Sequence, residues 1–195
     1  WDPARQRVKK VVIKVIPEST TRVSALLADS VDMIKDIPPQ MVPMAKSKSD
    51  VDVVAGPGPK ACSIIMVLKE GSPWTDVRVR QAVNYGINKR SIVKNVLQGN
   101  ATVALGTVVG PKSVGHNSAV GPYTYNPAKA RKLLKEAGYE KGFTVPLMVP
   151  IGRYLKGVQG AEAIAGQLKK LNITVQVKPL EYGAWRRNSR SKWKK

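Results

Sequence analysis

The sequence predicts an α/β fold. Two strand-type runs, 143–149 and 173–177, flank a helical pattern over 159–171, the spacing of a βαβ unit with parallel strands and a right-handed crossover. Capped helical patterns with apolar stripes also stand at 75–97 and 126–137. The chain has 195 residues and 43% hydrophobic content, enough for one large domain or two small ones around a buried core.

The elements follow in chain order. Residues 11–16 read as a strand, with Val11, Ile13 and Val15 facing one way and Val12 and Ile16 the other, and Pro17 ends it. Ser19 is placed to cap a helix running to Ala28, whose inward positions are Val23, Leu26 and Leu27. A second short apolar run covers 31–34. Pro38, Pro39 and Pro43 leave room for only a short helix before Lys48. Residues 51–55 and 61–68 are expected strands, separated by Gly56-Pro57-Gly58-Pro59, a turn that no ladder can cross.

Thr75 or Asp76 can cap a helix that turns Val79, Ala82 and Val83 inward. Asn88 can cap a second helix, with Ile92, Val93, Val96 and Leu97 as its stripe and Gly99 at its end. An irregular stretch, 100–125, follows. Asn126 then caps a helix with Pro127 at its first position; Ala130, Leu133, Leu134 and Ala137 form its buried stripe, and Gly138 stops it. Within the βαβ unit Ala161, Ile164, Ala165 and Leu168 point inward. A last helix begins at 181–185.

Composition limits the chemistry. Lysine and arginine number 33 against 13 acids, a net charge of +20, and most of the excess falls after residue 60. That excess supports an alternative function, a cationic module binding nucleic acid or other polyanions. No nucleic-acid-binding motif accompanies it, and aromatic content is only 6%, so no specific nucleic-acid partner is expected. The single cysteine, Cys62, excludes an internal disulfide and is expected as a small buried hydrophobe. His116, the single histidine, lies in the irregular stretch without metal-ligating neighbours, so a surface role is expected and no metal or cofactor. No Ser-His-acid set, GxGxxG or phosphate-binding loop is present, and the protein is not expected to be an enzyme. No apolar run is long enough to span a bilayer.

Pro73, Trp74, Asp76-Val-Arg-Val-Arg-Gln-Ala82 and Asn88-Lys-Arg90 carry a longer signal. Together they resemble a segment of the peptide-, dipeptide- and nickel-binding class of extracellular (periplasmic) solute-binding proteins, the receptors of ABC importers. STTRVSALLADSVDMIKDIPP from Ser19 and YNPAKARKLLKEAGYEKGF from Tyr125 resemble two further segments of that class. The family usually has a glycine and an asparagine where this chain has Met66 and Leu68.

The resemblance implies a periplasmic-binding-protein-like lobe with a mixed sheet and flanking helices, plus part of a second lobe. Residues 1–60 would be the rear of lobe one and 61–195 the front of lobe two, in a chain truncated at both ends. Such a receptor captures peptides or similar small solutes between its lobes and delivers them to a membrane permease. It works as a monomer in the periplasm or outside the cell, with or without a lipid anchor.

Arg153 is the charged residue best placed for ligand chemistry. It follows a strand, in a Gly152-containing loop at the carboxyl edge of a parallel sheet, where open α/β folds bind ligands. A guanidinium offers a planar fork that holds a carboxylate through two parallel hydrogen bonds. In dipeptide-binding members of the family an arginine followed by tyrosine grips the ligand's terminal carboxylate. The resemblance gives that role to Arg153 and a wall contact to Tyr154, with Gly152 in the same loop.

Overall fold

The computed structural model describes residues 7–54, 56, 62–104, 109, 113–117, 119–121 and 123–191. Its helices, in order, are α1 (Ser19–Leu27), α2 (Val42–Lys46), α3 (Val77–Gly86), α4 (Lys89–Asn95) and α5 (Pro127–Glu136). Strand β1 (Phe143–Pro150), helix α6 (Gly157–Lys169), strand β2 (Ile173–Leu180) and helix α7 (Tyr182–Ser191) complete the chain. The strands pair in parallel from Phe143 opposite Ile173 to Pro150 opposite Leu180. Among the described residues the sheet is this two-stranded ladder. Pro146 and Pro179 fit it because each strand has a free edge where no amide donor is needed.

One core holds the second half together. Val79, Ala82, Val83 and Ile87 of the α3 segment meet Ala130 and Leu134 of α5, Val145 of β1, Leu168 and Leu171 of the α6 segment, and Ile173 of β2. Trp74 and Tyr139 set their rings edge-on to Phe143, at 5.5 and 5.2 Å between centroids. That arrangement suits aromatic quadrupoles and seals the core beneath the start of β1.

Local chemistry explains the helix starts. Asp76 Oδ1 accepts the Arg78 amide at 2.8 Å and caps α3, and the same carboxylate pairs with the Arg78 guanidinium at 2.6 Å. Arg78 Nη1 also donates to the Glu136 carbonyl at 2.8 Å, tying the first turn of α3 to the last turn of α5. The hydrogen bonds from Arg78 hold the Asp76 carboxyl below its ordinary range. Asn88 and Asn126 cap α4 and α5 by accepting from Ser91 and Lys129 amides at 3.0 and 2.9 Å.

Several expectations require correction. The cap of α1 is Glu18 rather than Ser19; its carboxylate accepts the Thr21 amide at 2.6 Å. Residues 11–16, 51–54 and 62–68 are not ladder strands. Their alternation marks them as strand material, yet no partner strand lies beside them among the described residues, and Ile13, Val54 and Ile65 stand exposed. The Ile16 carbonyl is instead taken by Arg22 Nη1 at 2.9 Å. Cys62 is exposed, because its segment is not covered. Lys129 of α5 reaches back to α3: its Nζ donates to Tyr85 Oη at 2.9 Å and lies 4.4 Å from that ring's centroid. Residues 57–59 of the expected turn, and residues 55 and 61 of the strands expected on either side of it, lie outside the described residues.

Candidate functional site

The carboxyl ends of β1 and β2 build the site. The Ile151 amide donates to the Leu180 carbonyl at 2.8 Å, so the loop leaving β1 stays tied to the last residue of β2. Gly152 then turns with φ +71°, and Lys156 turns again at φ +52° before α6. The Gly157 amide closes the loop on the Tyr154 carbonyl at 3.1 Å. A Cβ at Gly157 would lie 3.1 Å from the Tyr154 Cβ, so the missing side chain there makes room for Tyr154.

From the other strand, Glu181 starts α7. Its Oε2 accepts the Ala184 amide at 3.1 Å. The amides of Gly183 and Ala184 hold its carboxyl below the ordinary range, helped by Arg187 nearby. This fixes Tyr182 at the first helical position, where it stacks on Trp185 with centroids 5.9 Å apart and ring planes 22° apart.

The two halves meet at Arg153. Its Cζ lies 5.5 Å from the Tyr182 ring centroid and 5.9 Å from that of Tyr154. Both distances are within cation–π range. Gly152, Arg153 and Tyr154 are exposed, and among the described residues no carboxylate pairs with Arg153. The structure thus brings together two of the expected side chains and adds Tyr182 and Trp185. The sequence held a signal for these two, since they follow the second strand of the same βαβ unit. What it did not give is that the Ile151–Leu180 hydrogen bond folds one strand exit onto the other.

An open groove of about 370 Å³ lies elsewhere, between Ile64, Met66 and Leu68 on the extended segment, Val77 and Gln81 on α3, and Tyr123. Arg80 borders it, but its guanidinium donates to the Trp74 and Thr75 carbonyls at 2.6 and 3.1 Å. A smaller depression adjoins Tyr85 and Tyr123. Neither includes Gly152, Arg153 or Tyr154, which stand on open surface. His116 Nδ1 lies 3.2 Å from the Val109 carbonyl. Among the described residues no three His, Cys, Asp or Glu side chains gather as metal ligands, and no helix is long and apolar enough to cross a membrane.

With this geometry in view, comparison with known proteins is decisive on kinship. Residues 1–195 match the family described as bacterial extracellular solute-binding proteins, family 5 Middle. The chain belongs to this family. Other family relatives are similar along much of its length. It is 31% identical over 147 residues to the glutathione-binding protein GsiB of Shigella flexneri, covering 75% of this chain and 28% of that protein. It is 30% identical over 184 residues to the dipeptide-binding protein of Escherichia coli, covering 93% of this chain and 34% of that one. Among solved structures, the periplasmic binding protein DppA of Helicobacter pylori, in complex with the peptide STSA, superposes with a TM-score of 0.74 at 26% identity. That match covers 88% of this chain and 33% of DppA. The family and these neighbours agree with an α/β architecture, and the chain spans about a third of the length of the relatives it matches.

Proposed function

We propose that this family 5 chain is part of the substrate-binding component of an ABC importer that captures peptides or similar small solutes and passes them to a membrane permease. The observation that carries the proposal is the family match over 1–195, together with relatives named for glutathione and dipeptides. In this reading the protein is a binding component, not an enzyme, and acts in the periplasm or outside the cell. Two lobes close on the ligand by hinge motion, with the boundary near residue 60. Among the described residues the shared core of 79–173 contains nothing from the first 60, which supports that boundary.

Arg153 is the ligand's carboxylate anchor, Tyr154 a wall, and Gly152 the turn that presents them. An exposed guanidinium that pairs with no carboxylate among the described residues, at the carboxyl edge of a parallel sheet, has the chemistry for that task. Calorimetry on the full-length protein with a panel of dipeptides tests the proposal. Stoichiometric binding that Arg153→Ala weakens by about tenfold or more is expected, the scale of one lost charge-assisted pair. No binding by any peptide, or binding indifferent to Arg153→Ala, would overturn it.

A further inference from the structure

The guanidinium of Arg153 has two flat faces and an edge that carries its N–H donors. A ring lying over a face leaves the edge free to grip a carboxylate in two parallel hydrogen bonds. Two rings are within range, and they differ in what holds them. Tyr154 is the next residue in the same exposed loop, so it travels with Arg153 and cannot fix it to the fold. Tyr182 belongs to another element. It sits at the start of α7, whose first turn is held by the Glu181 carboxylate, and it stacks on Trp185 one turn later. The Ile151–Leu180 hydrogen bond brings the Arg153 loop to the strand end from which Tyr182 departs.

An unrestrained arginine side chain loses much rotamer freedom when it closes on a ligand, and a ring that restrains it beforehand reduces that loss. We propose that Tyr182 is a positioning residue: its ring pre-sets the Arg153 guanidinium for the carboxylate of an incoming ligand. The proposal rests on the reading of Arg153 as carboxylate anchor. Tyr182→Phe keeps the ring face and preserves the effect. Tyr182→Leu keeps much of the bulk and abolishes it.

The test uses the full-length protein and two probes, the dipeptide Ala-Leu and its C-terminal amide. Wild type should prefer the acid, and Arg153→Ala should remove the preference. Tyr182→Leu should reduce the preference by roughly two- to fivefold, the factor expected of one exposed cation–π contact, while Tyr182→Phe retains it. If Arg153→Ala keeps the preference for the acid, the anchor reading fails. If Arg153→Ala removes it but Tyr182→Leu leaves it whole, or weakens acid and amide equally, the positioning role fails and the anchor reading survives. A ligand-free measurement decides even where neither probe binds. The Arg153 Nε–Hε resonance should be ring-current shifted in wild type and Tyr182→Phe, and should move toward the random-coil position in Tyr182→Leu, keeping the smaller shift from the Tyr154 ring. An Arg153 resonance identical in all three proteins overturns the proposal.

Discussion

At Gly142 a side chain would have nowhere to go. An added Cβ would lie 1.8 Å from the Asn172 carbonyl oxygen and 2.6 Å from its carbon, and the backbone there has φ +80°. Both obstacles are main chain, at the point where β1 and β2 begin side by side, so nothing can yield without parting the strands. Gly86 is different. A Cβ there would lie 2.4 Å from Leu171 Cδ1, the outer end of a side chain that can rotate within the core, and the helical backbone welcomes alanine. Gly142→Ala is therefore expected to cost about 2–4 kcal/mol and Gly86→Ala about 1 kcal/mol. Urea unfolding of the two variants checks this, and equal losses would contradict it. Glu18 gives a residue-scale prediction in pH. Its carboxylate accepts from the Thr20 hydroxyl and the Thr21 amide, which lower its pKa from 4.5 to about 2. The ionised form is the bonded form, so the folded chain holds this proton less well than the unfolded chain does. The contribution of the cap is complete above pH 4.5 and falls away as pH drops toward 2. A carboxyl titration by NMR should find the Glu18 midpoint near 2, with Thr21 amide protection lost over the same range; a midpoint near 4.5 would remove the cap from the folded chain.

Among the elements, α5 shows how little of a helix start is left to chance. Asn126 closes it by accepting the Lys129 amide, Pro127 supplies a pre-set φ, and the Asn126 amide donates to the Tyr85 carbonyl at 2.9 Å at the end of α3. Asn126→Ala should lower stability by about 1 kcal/mol. Leu134→Ala, two turns inside and almost fully buried, should cost about 2–5 kcal/mol because its cavity opens into the shared core. Thermal melts should rank the two in that order. These elements were legible in the sequence because their signals are local: a cap, a stripe and a stop lie within a dozen residues. The βαβ unit was legible for the same reason, its two strands and crossover being contiguous. The 11–16, 51–54 and 62–68 runs were not, since alternation of apolar residues marks a strand candidate while only a neighbouring strand makes a ladder. Ser19 lost to Glu18 as a cap because a longer carboxylate one residue earlier reaches the same amide. At the candidate site, Arg153 and Tyr154 could be singled out from a loop after a strand. Tyr182 was signalled only by its place after the second strand, because its approach to Arg153 also needs the Ile151–Leu180 hydrogen bond that ties the two strand ends.

The molecule as a whole sets a strong charge against uncovered apolar chain. The net charge is +20, so like molecules repel one another across a Debye length of about 10 Å at 0.1 M salt. The exposed apolar runs pull the other way: Ile13 is 84% exposed, Val54 94% and Ile65 67%, in extended segments without ladder partners among the described residues. Unpaired extended backbone with apolar side chains is a template for pairing with another chain. At low ionic strength repulsion wins and the isolated 195-residue chain should sediment as a monomer. Near 1 M salt the Debye length shrinks to about 3 Å while burial of apolar surface is not weakened, and the balance should turn to association. Sedimentation velocity from about 0.05 to about 1 M sodium chloride, roughly a twentyfold range in ionic strength, follows that balance directly. Replacing Ile13, Val54 and Ile65 with threonine should shift association to higher salt, since the charge is unchanged and the apolar contact is reduced. A chain that stays monomeric at every salt concentration without those replacements would mean that the runs are covered in solution.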